Sequence, residues 1–228
     1  MTGQGIAGHF ERTCASYDAW YDEHPALYRT ELAALRKAVP ARGRGLEIGV
    51  GTGRFAGPLS VRYGLDPAPG MLEMARGRGI RVVRGVGEAL PFRSGCFDLV
   101  LIVFVIEFVD DLEGFLSEAA RVLKPRGRLV IGLIDKDSAW GRHFHRTSRA
   151  RRFFHPPSPR ELFAGLGRVG LRAETTWQTL FSAPPDLERV ECPRPGFGRG
   201  GFFVVRAVKG RGAAAASATA VVKRGRKT

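Results

Sequence analysis

An apolar segment at residues 46–48 runs straight into Gly49-Val50-Gly51-Thr52-Gly53, and this junction constrains the fold more than any other stretch of the chain. Glycines at alternate positions after a short strand let a ligand approach the backbone closely, because no Cβ stands in the way. The spacing is G-x-G-x-G, and the position that would complete the dinucleotide pattern G-x-G-x-x-G is Arg54. A nicotinamide enzyme is therefore disfavoured. Glu47, just ahead of the loop, would repel a pyrophosphate, so the loop suits a ligand that carries an ammonium and hydroxyls.

Strand and helix patterns alternate around this junction. Residues 9–39 have helical periodicity broken at Pro25, which predicts two helices ahead of a sheet. A strand at 46–48, the tight loop and a helix are expected next. They are followed by a strand at 61–65, a helix at 69–78, a strand at 80–84 and a turn at Leu90-Pro91-Phe92. Residues 97–105 form an almost unbroken β-branched and aromatic run, as a central strand covered on both faces requires. A helix at 112–123 stops before Lys124-Pro125-Arg126-Gly127, and 128–134 reads as a strand. Beyond Asp135 the pattern loosens into a stretch rich in Arg, His and aromatics. A helix at 160–169, an extended segment at 171–180, loops at Pro184-Pro185 and 192–201, and a last strand at 202–208 complete the order. This alternation argues for an α/β domain with a mostly parallel sheet and helices on both faces. Residues 209–228, rich in alanine, glycine and bases, read as a disordered tail.

With 228 residues the chain suits one such domain. Cys14, Cys96 and Cys192 stand far apart, so neither a disulfide framework nor a metal cluster is indicated, and a reducing cytoplasm fits. No apolar run approaches bilayer length, so no membrane partner is expected. The formal net charge is +14; six positive charges and no acid fall in the last twenty residues, leaving +8 on the rest. A diffuse basic surface accounts for this better than a nucleic-acid face does.

At the end of the second strand, Asp66 in Gly64-Leu65-Asp66-Pro67 sits beside the glycine loop at the carboxyl edge of the sheet. An acid there accepts both hydroxyls of a ribose, or serves as N-cap or turn aspartate for the following helix, roles it could fill together. These residues together resemble the class I methyltransferase family, in particular the branch that includes the ubiquinone and menaquinone methyltransferases. The resemblance is carried by 46–53, by 64–67 with Met71-Leu72, and by Gly87-Glu88-Ala89-Leu90-Pro91-Phe92. It continues through Phe97-Asp98-Leu99-Val100, Phe108-Val109-Asp110-Asp111 and Glu118 to Pro125, covering about residues 17–134. It implies a Rossmann-like, doubly wound, seven-stranded sheet whose last strand is antiparallel, a lid segment over residues 1–40, a domain over 41–208, and S-adenosylmethionine as cofactor.

By the same resemblance Gly49, Gly51 and Gly53 pass under the methionine part of the cofactor, with Glu47 buttressing the loop. Asp66, followed by Pro67, holds the ribose, Met71 lies against the adenine, and Val103 with Phe104 lies beside the sulfonium. Tyr17 and Trp20 resemble an aromatic lid, though core packing at helical spacing explains them equally. Two positions depart from the pattern. The acid that usually meets the adenine amino group is replaced by Val86, which leaves recognition to the backbone around Gly87 and Glu88. Relatives often carry two histidines where this chain has Glu107-Phe108. Glu107 could steer a cationic amine, act as a base, or simply bind backbone at a helix start. Phe104, Glu107, Trp140 and His143 are the substrate-facing candidates. His143, His145 and His155 fall in the variable segment, where a lone histidine is more often surface than catalytic, and the basic run at 142–152 suits an anionic acceptor or a solvated face equally. Transfer from a sulfonium is an in-line displacement in which positioning does most of the work, so no catalytic residue is assigned. A small-molecule acceptor is the expected substrate. An RNA or protein methyltransferase, and a regulatory protein that binds the cofactor without turnover, stay open.

Overall fold

The computed structural model describes residues 2–148, 150–185 and 187–210; the expected tail from 211 onward lies outside the described residues. The amino-terminal helical stretch divides at Pro25 into α1 (Thr2–Glu23) and α2 (Pro25–Ala38). Pro25 opens the first turn of α2, where its missing N–H has no intrahelical partner to lose.

Then follow β1 (Gly45–Ile48), β2 (Tyr63–Asp66), α3 (Pro69–Gly77), β3 (Arg81–Arg84), β4 (Phe97–Val103), α4 (Leu112–Val122) and β5 (Leu123–Ile134). The five strands lie parallel in the order β3-β2-β1-β4-β5. The carboxyl-terminal part contributes α5 (Ala139–Thr147), α6 (Pro159–Arg168), β6 (Leu171–Thr179), β7 (Arg194–Pro195) and β8 (Phe202–Lys209). The last strand, β8, is antiparallel, as expected, and inserts between β5 and β6. β7 is a two-residue ribbon on β6 inside a stretch read from sequence as loop, and it raises the expected seven strands to eight. Lys209, assigned to the tail from sequence, closes β8 instead: its ammonium donates to the carbonyls of Ala120 and Leu123.

Alternation along the central strands separates two apolar layers. Leu99, Leu101 and Val103 pack with Leu35 and Leu72 of α2 and α3, while Val100 and Ile102 pack with Phe115 and Leu162 of α4 and α6. Each fully buried side chain of this size contributes roughly 1.5–3 kcal/mol. Caps fix the helices of the second layer. Asp111 accepts the Gly114 N–H at the start of α4, and Ser158 with Glu161 forms a capping box at α6.

One expected helix is absent. After the glycine loop, residues 51–60 make irregular turns, among them Gly57 N–H to Gly53 O at 3.1 Å and Leu59 N–H to Phe55 O at 3.3 Å. The physical reason is Gly57-Pro58. The proline has no N–H to give the Arg54 carbonyl, and its ring opposes a regular turn there. That carbonyl accepts the Tyr28 hydroxyl from α2 instead.

Strand order reverses between β1 and β4, so the carboxyl ends of β1, β2, β4 and β5 bring Gly49, Asp66, Phe104 and Asp135 to one edge. In open sheets of this kind the crevice at that reversal receives ligands.

Candidate functional site

Two of the three loop glycines serve packing. A Cβ on Gly49 would stand 2.2 Å from Val105 Cγ2, and one on Gly53 would stand 2.5 Å from Ile80 Cδ1. Gly51 differs: at φ +51° it faces only Tyr17 Cε1, 3.8 Å away, and Met71 Sδ, 3.9 Å away. The loop is anchored to the end of β2, since Gly49 and Val50 N–H both donate to the Leu65 carbonyl.

Asp66 draws the cradle together. One carboxylate oxygen accepts Gly51 N–H at 3.0 Å and the other accepts Ala68 N–H at 2.9 Å. Of the capping alternatives the turn form holds: Ala68, not Asp66, is the N-cap of α3, and Asp66 accepts the Ala68 N–H just ahead of the helix. Burial raises the Asp66 pKa, against the pull of the two N–H groups. Each oxygen keeps a lone pair, which suits a pair of ribose hydroxyls.

Glu47 is 2% exposed, and its Oε2 has no hydrogen-bond partner. Burial lifts its pKa well above the carboxylate range, the Ala56 backbone tempers this, and the charge of Asp66 adds to it. A buried carboxylate with a free oxygen fits a cationic group. Together, the open face of Gly51, the spare lone pairs of Asp66 and the orphaned Glu47 oxygen match the hydroxyls and ammonium of S-adenosylmethionine.

Helix α1 covers this cradle. Tyr17 places its ring over Gly51 and its hydroxyl 3.0 Å from that of Tyr21. An ion network fastens the helix: Asp18 meets Arg54 and Arg78 at 2.8 Å each, and Arg54 meets Asp22 at 2.6 Å. Arg78 also donates to the Thr52 carbonyl of the loop, and Glu11 accepts Gly70 N–H at the start of α3. Burial pushes Asp18 up, but hydrogen bonds, that of Arg54 foremost, outweigh it and hold the acid down to about 2. Trp20 does not join Tyr17; it is 39% exposed and stacks on His24 at 4.3 Å between ring centroids.

The remaining cofactor candidates divide. Met71 and Val103 are buried beside the loop, and Pro67 is half-buried with its carbonyl accepting from Arg84. Gly87 is set by packing, since a Cβ would lie 2.0 Å from Phe115 Cε2. The Glu88 side chain is exposed.

On the acceptor side, Phe104 leaves β4 with φ +55° and lies between the Phe55 and Phe202 rings. Glu107 is 1% exposed in a single 3-10 turn (Ile106–Phe108), and its Oε1 accepts Ile134 N–H at 3.1 Å. Of the three sequence alternatives for Glu107, backbone binding explains only this oxygen, because Oε2 has no partner. Burial pushes its pKa up to about 7. Trp140 is structural, buried with its indole N–H donating to the Ser182 carbonyl, and His143 meets it edge to face. His145 and His155 line a cleft of about 970 Å³ with Lys136, Arg142 and Arg146; its lining includes Ile106 and Phe154 but no glycine-loop residue.

Sequence reasoning missed Glu31. It occupies a buried position of α2 in the series Leu27, Thr30, Glu31, Ala34, Leu35 and Ala38, is 2% exposed, and has an unpartnered Oε2. An acid on the apolar stripe of an amphipathic helix was the available signal. Burial, then the charge of Glu107, raises it well above the ordinary range.

The switch-point crevice, the cradle at Gly51 and Asp66 and the helical cover define a Rossmann-like S-adenosylmethionine-dependent methyltransferase. Comparison with known proteins reaches the same class. Residues 46–131 match the methyltransferase domain family. A Thermotoga maritima crystal structure, described as an S-adenosylmethionine-dependent methyltransferase and possible histamine N-methyltransferase, is 40% identical; the match has a TM-score of 0.83 and covers 88% of this chain and 97% of that one. An uncharacterised protein of Methanocaldococcus jannaschii is 38% identical over 203 residues, 88% of this chain and 98% of its own length. A demethylmenaquinone methyltransferase of Tropheryma whipplei is 40% identical over 94 residues, 38% of this chain and 39% of its own length. The chain belongs to the S-adenosylmethionine-dependent methyltransferases, and S-adenosylmethionine is its cofactor.

Proposed function

We propose that this protein transfers the methyl group of S-adenosylmethionine to a small-molecule acceptor bound between α1, α2 and the turn after β4. The observation that carries this reading is where the charges near the donor site go. Arg54 and Arg78, the cations beside the glycine loop, are spent on Asp18 and Asp22 of the covering helix rather than left for phosphates. Behind that cover the acceptor side is apolar and aromatic, with Phe154 in the buried core and the partly buried Phe104 and Phe108 packed against it. A polymer would need free bases beside the donor cradle; a small molecule needs burial and a few polar contacts.

The cofactor supplies a methyl carbon already activated by a sulfonium. The chain then has to hold the acceptor in line and keep water out. Asp66 and Gly51 fix the ligand end of the cradle, Tyr17 closes it, and Phe104 with Val103 presents a dry wall. Positioning of this kind accounts for large accelerations without a dedicated side chain.

The test uses S-adenosylmethionine carrying a tritiated methyl group, offered with a cell extract divided into small molecules, RNA and protein. Label is expected in the small-molecule fraction. Label confined to RNA or protein would overturn the assignment.

A further inference from the structure

We infer that Glu31 and Glu107 together bind the acceptor through a positive charge, and that the acceptor is an amine that arrives as its ammonium. The inference rests on the small-molecule reading above and names the chemistry of that molecule.

Both acids are almost wholly buried, 2% and 1% exposed, and each has a carboxylate oxygen with no hydrogen-bond partner. They come from different elements, α2 and the turn after β4, and the charge of one acts on the other. Among the described residues no lysine, arginine or histidine forms an ion pair with either. A structural role accounts for a single oxygen, Glu107 Oε1 on Ile134 N–H. Burial without a counter-charge disfavours the ionised form of both acids, and a bound cation would favour it.

The surroundings suit an organic cation rather than a metal ion. Six rings in edge contact run from Phe104 through Phe55, Tyr21, Tyr17 and Phe10 to Phe108, with centroids 5.3–5.7 Å apart. The arc leaves the chain three residues before Glu107 and returns one residue after it. Aromatic walls with a carboxylate recognise ammonium groups through ring electrostatics and apolar contact together. The site also adjoins the donor cradle: Tyr17 belongs to the arc and covers Gly51, and Val105 packs on Gly49. The backbone around Glu107 is pinned, its carbonyl accepting His155 N–H at 2.8 Å.

The chemistry balances. The bound R–NH3⁺ gives one proton to the carboxylate pair, which frees the nitrogen lone pair. The lone pair forms the N–CH3 bond as the S–CH3 bond breaks and sulfur keeps its electron pair. The product leaves as R–NH2⁺–CH3, and the proton returns from the carboxylates to solvent.

The experiment is calorimetry on the full chain saturated with S-adenosylhomocysteine, with phenethylamine and butylamine compared against 2-phenylethanol and butanol. Each amine is expected to bind at least tenfold tighter than its alcohol. Glu31→Gln and Glu107→Gln, which keep shape and remove a buried charge, should each cut that preference at least tenfold and leave S-adenosylhomocysteine affinity within twofold. Equal binding of amines and alcohols, or a preference that survives both substitutions, overturns the amine assignment while the methyltransferase reading stands. A wild-type chain that does not bind S-adenosylhomocysteine sinks both.

Discussion

Glu107 lies 1% exposed against the backbone of β5, and burial moves its pKa from the ordinary 4.5 up to about 7. Between those values the folded chain holds a proton that the unfolded chain releases. The stability this contributes is therefore full below pH 4.5 and lost as the pH rises through about 7. At about 1.4 kcal/mol per unit the loss amounts to about 3 kcal/mol. Urea unfolding at pH 4.5 and pH 8.5 checks this: the wild type should lose about 3 kcal/mol more than Glu107→Gln over that interval. Equal losses would mean that Glu107 ionises freely in the folded state. At this scale the sequence was unevenly legible. Asp66 and Gly51 were readable because a glycine spacing and a strand-end acid are local patterns. Glu31 was not, because its meaning depends on the charge of Glu107, seventy-odd residues further along the chain. The packing of Gly87 against the Phe115 ring of α4 left no trace in the local motif.

At the scale of elements, α1 is held down chiefly by polar groups. Asp18 bridges Arg54 of the loop segment and Arg78 at the end of α3, so one acid ties the cover to the cradle. In Asp18→Asn the charge-assisted bonds are lost, each worth roughly 1.5–3 kcal/mol. Limited proteolysis by chymotrypsin should then cut near Tyr17 or Trp20 roughly tenfold faster, and added S-adenosylhomocysteine should slow the cut in both proteins. An unchanged rate would show that apolar packing alone holds α1. The five parallel strands, α2 to α4 and α6 were legible from periodicity, since each carries an unbroken apolar stripe or run. The helix expected after the glycine loop failed on a single dipeptide, Gly57-Pro58, whose effect on the Arg54 carbonyl outweighed the surrounding pattern. β7 was unreadable because two residues carry no period. Trp20 stacks on His24, a contact one helical turn away that was not legible in the sequence.

At the scale of the molecule, the sheet reversal sets the donor site, and the first layer of helices decides what can reach it. Among the described residues the bases do not converge on that site. The arginines nearest the cradle are neutralised, and much of the basic run at 142–152 flanks a cleft bounded by α5 and α6. No helix among the described residues is long and apolar enough to cross a membrane. The central claim is that Asp66 and the glycine loop bind the cofactor beneath α1. Calorimetric titration of S-adenosylhomocysteine into the wild type and into Asp66→Asn tests it most directly. Asparagine keeps an acceptor for one backbone N–H and removes the charge. Saturable one-to-one binding that weakens about tenfold in the variant, roughly 1.4 kcal/mol, is the predicted result. Equal affinity in the two proteins would place the cofactor elsewhere and contradict the account.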